Sequence, residues 1–137
     1  MWWMYALGSA SFAALTAIFA KIGIKNVDSN LAVAVRTTVI LFLAWAIAFF
    51  RGGTNSIGML TKVNLVFLTL SGITTGLSWI FYFNALEIGK VSQVAPVDKL
   101  SLGLTIIFSV VFLGESLSWK TALGAVLIIA GSIITIL

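Results

Sequence analysis

The sequence lacks cysteine and histidine altogether and has few charges, with eight basic and four acidic residues among 137. These absences exclude disulfides, thiol chemistry, ordinary zinc sites and histidine-dependent acid/base catalysis. The basic residues are scattered singly, so no nucleic-acid surface is predicted. Three of the four carboxylates, Asp28, Glu87 and Glu115, fall in or beside separate loops, and no nucleophile with its base is recognisable. We therefore expect no enzymatic activity, no metal ion and no cofactor.

Hydrophobic residues make up 61% of the chain and form five long runs. A helix needs about 20 apolar residues to cross a hydrocarbon core of about 30 Å. The runs are residues 2–20, 31–50, 65–86, 91–113 and 119–137. The first lysine, Lys21, follows a complete span instead of preceding it as in a signal peptide, so we expect the first helix to be retained. The sequence predicts an all-α integral membrane protein, with one domain of five transmembrane helices over residues 1–137.

The basic residues in the loops and at the span ends divide evenly between the two sides of the membrane. Five crossings place the N-terminus on one side, called side X, and the C-terminus on the other, called side Y. Side X has Arg51, Lys62 and Lys120, and side Y has Lys21, Lys25 and Lys90. Because an excess of lysine and arginine normally sets the orientation, this balance predicts insertion both ways and an antiparallel homodimer. The alternative is one fixed topology, decided by Arg36 or by the first helix.

Three charged residues lie inside predicted spans and away from the span ends, namely Arg36, Asp98 and Lys99. Such groups are costly at membrane depth and usually face a protein interior or a wet cavity. At 1.5 Å per residue, Arg36 lies about 8 Å and Asp98 about 10 Å from side Y. Adjacent helical residues diverge by about 100°, so Arg36 is the expected partner of Asp98 in preference to Lys99. In the alternative, an Arg36–Asp98 pair only joins two helices and Lys99 extends toward side Y.

Polar side chains recur at helical spacing on three of the predicted helices. They are Tyr5, Ser9 and Thr16 on the first, Ser71, Thr75, Ser78 and Tyr82 on the third, and Asp98, Ser101, Thr105 and Ser109 on the fourth. One polar face on each of three helices predicts a hydrated cavity with Ser101 and Thr105 in its wall. The alternative is that these hydroxyls bond to neighbouring helices or to carbonyls of their own helix.

Trp79 and Tyr82 on the third helix are candidates for stacking on a cationic or aromatic ligand. The faces of these rings attract cations. The competing interpretation of Trp79 is packing against lipid or against another helix.

One proline and two glycine pairs predict movement and packing. Pro96 removes a hydrogen bond one turn into the fourth helix and is a candidate hinge beside the charges. Gly72 and Gly76 would allow another backbone to approach the third helix. Gly124 and Gly131 share one face of the last helix, which we assign to packing between protomers.

Three segments resemble the EamA-type members of the drug/metabolite transporter superfamily. They are APVDKLS at residues 95–101, FLGE at 112–115 and GAVLIIAG at 124–131. Lys21 after the first helix and Arg36 early in the second are also placed as in that family's repeat. The resemblance covers essentially the whole chain.

Typical family members have ten helices in two inverted repeats of five, so this chain resembles one repeat. The resemblance implies a secondary transporter or exporter of small metabolites or drug-like solutes. It places the first four helices around a central cavity, with the fifth joining the halves. The related small multidrug resistance proteins use a glutamate in the first helix for proton exchange, and no acidic residue lies there in this chain. This departure from the pattern does not favour coupling of that kind, and if protons are exchanged Asp98 is the expected carboxylate.

These expectations combine into an antiparallel homodimer in the inner cell membrane that works by alternating access. Arg36, Asp98 and Lys99 would line the route, surrounded by membrane lipid. Two cations against one anion favour solutes that bear a carboxylate or a phosphate. The alternatives are a non-transporting scaffold or accessory subunit, and a lipid flippase on the same fold.

Overall fold

The computed structural model describes residues 1–137 and contains helices and no strand. The helices are α1 (Trp2–Gly23), α2 (Ser29–Phe50), α3 (Lys62–Ile88), α4 (Val91–Asp98), α5 (Ser101–Leu113) and α6 (Trp119–Ile134), with a 3-10 helix at Gly53–Met59. Four segments are long and apolar enough to cross a membrane: α1, α2, α3 and the α4–α5 segment. The all-helical membrane fold is confirmed. The apolar helix α6 has 16 residues, about 24 Å at 1.5 Å each, and a fifth crossing stays a prediction.

Local sequence explains where the helices begin and end. The Asp28 carboxylate caps α2, because it accepts hydrogen bonds from the backbone N–H groups of Asn30 at 2.9 Å and Leu31 at 3.0 Å. Gly114 ends α5 with φ of 67°, a left-handed conformation that glycine adopts without steric cost. The hydroxyl of Ser118 caps α6 by accepting from the N–H of Thr121 at 3.1 Å.

The predicted fourth helix, residues 91–113, is two helices and not one. The last turn of α4 closes with bonds from the N–H of Lys99 to the Pro96 carbonyl, 3.0 Å, and from the N–H of Leu100 to the Val97 carbonyl, 2.9 Å. These bonds span three residues instead of four, so the helix tightens and then restarts at Ser101. Pro96 lacks an N–H group and its ring crowds the preceding turn, so its direct effect falls within α4, on the N-terminal side of the break. A kink and a hinge at Pro96 itself stay predictions.

The chain divides into two compact units. The central unit is Ala20–Glu87, and the terminal unit is Met1–Phe19 together with Ile88–Leu137. In the terminal unit, α6 packs against α4 and α5. A Cβ added to the buried Gly103 of α5 would lie 2.5 Å from Cδ1 of Ile129, so a larger residue there would force the Ile129 side chain to shift.

The buried side chains of the central unit gather where α1 ends, α2 begins and α3 ends. They are Ala20, Ile24, Ser29, Val33, Phe83 and Leu86. The remaining apolar side chains of the unit are largely exposed, which suits a chain whose solvent is lipid or another protein chain.

Candidate functional site

Arg36 lies against aromatic rings of α3 within the central unit. Its guanidinium carbon is 4.3 Å from the centroid of the Trp79 ring and 5.5 Å from that of Phe83. Trp79 and Phe83 are four residues apart and therefore share one face of α3. The ring of Trp79, predicted to stack on a ligand, thus stacks on a cation of its own chain.

The surroundings of Arg36 include a third aromatic residue, Tyr82, which interacts with it electrostatically. Arg36, Trp79 and Tyr82, three residues predicted from the sequence, are therefore brought together. Sequence reasoning missed Phe83, although its spacing of four from Trp79 is the signal that identifies it. No carboxylate lies within salt-bridge distance of the Arg36 guanidinium.

Asp98 and Lys99 form an ion pair in the terminal unit. The Lys99 Nζ atom is 3.2 Å from Oδ2 of Asp98, and the side chains of Lys99 and Asp98 are 52% and 37% exposed, respectively. The expectation that Asp98 pairs with Arg36 in preference to Lys99 is wrong for this chain. Lys99 follows the end of α4 with a helical backbone conformation, and its side chain is long enough to reach the neighbouring carboxylate. The charges of the pair lie at the break between α4 and α5.

Several hydroxyls of the predicted polar faces bond within their own helices. Thr75 donates to the Ser71 carbonyl at 2.7 Å, and Thr105 to the Ser101 carbonyl at 2.8 Å. Ser109 donates to the carbonyl of Ile106 at 3.0 Å. The bonds within one helix that the alternative interpretation expects are present at these three residues, because serine and threonine satisfy their hydroxyl hydrogens on the preceding turn. A hydrated wall that includes Ser101 and Thr105 stays a prediction.

The glycines predicted to mediate packing have no close neighbour within the chain. A Cβ added at any of them would meet nothing within 4 Å: Gly72, Gly76, Gly124 and Gly131. Packing of these glycines between protomers stays a prediction. The glycine at a close helix contact is Gly103, which sequence reasoning missed.

A polar cluster at side Y joins three segments of the central unit. The Lys21 ammonium donates hydrogen bonds to the carbonyls of Leu86 and Glu87 near the end of α3. The Ser29 hydroxyl, 1% exposed, donates to the Glu87 carboxylate. Sequence reasoning treats Glu87 as a loop residue, although the predicted topology places it on the same side as Lys21. This cluster, defined as Lys21, Ser29 and Glu87, is called the side Y clamp.

A cleft of about 600 Å³ opens beside the side Y clamp. It is lined by Lys21, Ile24, Lys25, Asn26, Val27, Asp28 and Glu87. Two lysines, two carboxylates and one amide give this cleft mixed charge. A surface of this kind admits water and small polar solutes at the end of the helices.

Comparisons with known proteins agree with this architecture. The EamA-like transporter family matches residues 1–137. A protein of Sinorhizobium sp., described as an uncharacterized transporter in cobO 3'region, is 44% identical over 133 residues. The aligned region covers 97% of this chain and 94% of that protein, so the two have nearly the same length. No solved structure matches the chain.

Proposed function

We propose that this chain, which belongs to the EamA-like transporter family, carries small metabolites or drug-like solutes across the inner cell membrane by alternating access. Its multi-pass membrane character and its place in a transporter family are the premises. The secondary mechanism, the five-helix domain over residues 1–137 and the working dimer are parts of the proposal.

The break between α4 and α5 is the observation that carries the proposal. It interrupts an apolar segment, Val91–Leu113, that is otherwise suited to span the membrane. Irregular backbone at membrane depth is tolerated where it is buried in protein or lines a water-filled cavity. Transporters use such interrupted helices to present backbone groups and charges to a solute near the bilayer midplane. The Asp98–Lys99 pair at the break suits this role, with Pro96 permitting the two halves to move.

The proposed working form is an antiparallel homodimer. The even division of basic residues removes the bias that selects one orientation. The Sinorhizobium relative has nearly the same length, so a chain of this size is not peculiar to this protein. Two inverted copies of five spans would reproduce the ten-helix architecture that the family resemblance implies.

Single cysteines test the dual orientation, because the chain has no competing thiol. Asn55→Cys reports side X and Val27→Cys reports side Y, with an impermeant thiol reagent applied to intact cells. Val27 is preferred to Asn26, since Asn26 has φ of 61° and cysteine there would be strained. Comparable labelling of both sites is expected. Labelling of one site alone contradicts the antiparallel dimer.

Export from cells tests transport even while the solute is unidentified. Mass spectrometry would compare small molecules in the medium of cells that express the unaltered protein, Asp98→Asn, Lys99→Met, or the loop control Glu115→Gln. We expect the first two variants to lose the exported species while cross-linked dimers persist. If these variants lose the dimer while export is unchanged, the result would instead favour the scaffold, in which the charges only hold helices together. Scrambling of labelled lipid in proteoliposomes would identify a flippase.

A further inference from the structure

Arg36 carries a positive charge that the central unit does not neutralise. Its position, seven residues beyond the start of α2 at Ser29, is about 10 Å along the helix. A cation at this depth is normally paired with a carboxylate or with backbone carbonyls. Arg36 has neither a salt bridge nor a side-chain hydrogen bond, and its contacts are with aromatic rings.

Aromatic stacking leaves the hydrogen-bonding capacity of arginine unused. The guanidinium is planar, and a ring stabilises the charge through the flat face. The five N–H donors lie in the plane of the group and require acceptors that a ring does not provide. Trp79 and Phe83 therefore hold the cation in place while its donors stay accessible.

Carboxylate and phosphate groups complement such a guanidinium in both charge and shape. Two parallel N–H···O bonds form between the fork of arginine and two oxygens of either group. Lys99, the other intramembrane cation, is already paired with Asp98.

We propose that Arg36, held on Trp79 and Phe83, recognises an oxyanion group of the transported solute. This inference rests on the proposed transport function and names the class of solute as carboxylates or phosphate esters. A purely structural Arg36, which only packs α2 against α3, would show no preference for such groups.

Matched ligands that differ in one functional group test the preference. Isothermal titration of the full-length protein in detergent micelles would compare cyclohexanecarboxylate, cyclohexyl phosphate, the neutral cyclohexanecarboxamide and cyclohexylammonium. We expect at least one oxyanion to bind about tenfold or more tightly than the carboxamide, because charge-assisted bidentate bonds are strong. The stronger of the two oxyanions identifies the carboxylate or the phosphate class. Equal affinity for oxyanions and carboxamide overturns the inference.

Two variants of Arg36 and one control locate the binding group. Arg36→Gln should abolish the tenfold preference, and Arg36→Lys should reduce it, since lysine keeps the charge but lacks the fork. Arg51→Gln removes an exposed arginine at the other end of α2 and should leave the preference unchanged. A preference that survives in Arg36→Gln overturns the assignment. If that variant fails to fold, the unaltered protein and Arg36→Lys still decide the outcome.

Flux measurements separate this inference from the transport proposal. Proteoliposomes that move neutral or cationic solutes with no preference for oxyanions would overturn the inference and leave transport intact. Oxyanion binding that depends on Arg36 but occurs without flux would uphold the inference and contradict transport.

Discussion

Both ends of α3 are rich in apolar residues, but they pack very differently. At side Y, Phe83 and Leu86 are buried against segments of the central unit, and Leu86 is 0% exposed. At side X, every residue from 62 to 75 is exposed. Lipid is as apolar as leucine, so hydrophobicity does not select where helices associate in a membrane. Hydrogen bonds and close packing therefore determine where α3 contacts its neighbours. At side Y the side Y clamp provides the hydrogen bonds.

The largest expected effect comes from the buried leucine of the packed end. Leu86→Ala should lower the free energy of unfolding by about 2 kcal/mol, because the truncation removes van der Waals contacts and leaves a cavity. Leu68→Ala, at a position that is 62% exposed, should cost less than about 0.5 kcal/mol. Titration with SDS in mixed micelles, followed by far-UV circular dichroism, measures both values. If Leu68→Ala lowers the free energy of unfolding as much as Leu86→Ala, the two ends of α3 do not differ in packing. That result would indicate a second chain packed on side X of α3.

A smaller effect is expected from the buried hydroxyl of the side Y clamp. Ser29→Ala removes the donor to the Glu87 carboxylate and should cost about 1.5 kcal/mol, the lower end of the range for a hydrogen bond to a charged group. Ser71→Ala is the matched control, because Ser71 is an exposed serine in the unpacked half of α3. The same SDS titration should show no change for this control. A destabilised Ser71→Ala variant would show that its hydroxyl has a partner in another chain.

The smallest effect on stability is expected from two lysines, one at each end of α3, and its sign should differ between them. Lys21→Met removes an ammonium group from carbonyls at the C-terminal end of the helix and should destabilise by about 0.5 kcal/mol. Lys62 is the first residue of α3, where a cation opposes the helix dipole. Lys62→Met should therefore be neutral or slightly stabilising in the same measurement. Equal losses in both variants would show that helix-end electrostatics does not explain the role of Lys21.

Each of the two intramembrane cations revises a prediction made from the sequence. The sequence favours Arg36 as the partner of Asp98, whereas the structure pairs Asp98 with Lys99, whose long side chain reaches the adjacent carboxylate. The sequence makes Trp79 a candidate for stacking on a cationic or aromatic ligand, and Arg36 of the same chain lies over its ring. The roles of these residues in transport stay predictions, and their partners within the chain depend on which face of α3 meets α2.

The local sequence alone specifies the membrane helices, one lost hydrogen bond and the family of this protein. Apolar runs specify membrane helices because no other backbone arrangement within a single segment satisfies its hydrogen bonds in lipid. The single proline specified the loss of one helical hydrogen bond within α4, since proline has no N–H group wherever it stands in a helix. The motifs of residues 95–131 identified the family, which the match over residues 1–137 confirms.

The tertiary structure decided which residues meet. Ser29 and Glu87 are 58 residues apart in sequence, and nothing local signals that they bond. The packing of Gly103 against Ile129 likewise depends on how α5 and α6 approach each other. In a chain this apolar, almost every residue of a helix is equally able to face lipid or protein. Only the few directional contacts, such as the side Y clamp and the Arg36 stack, distinguish one face from the other.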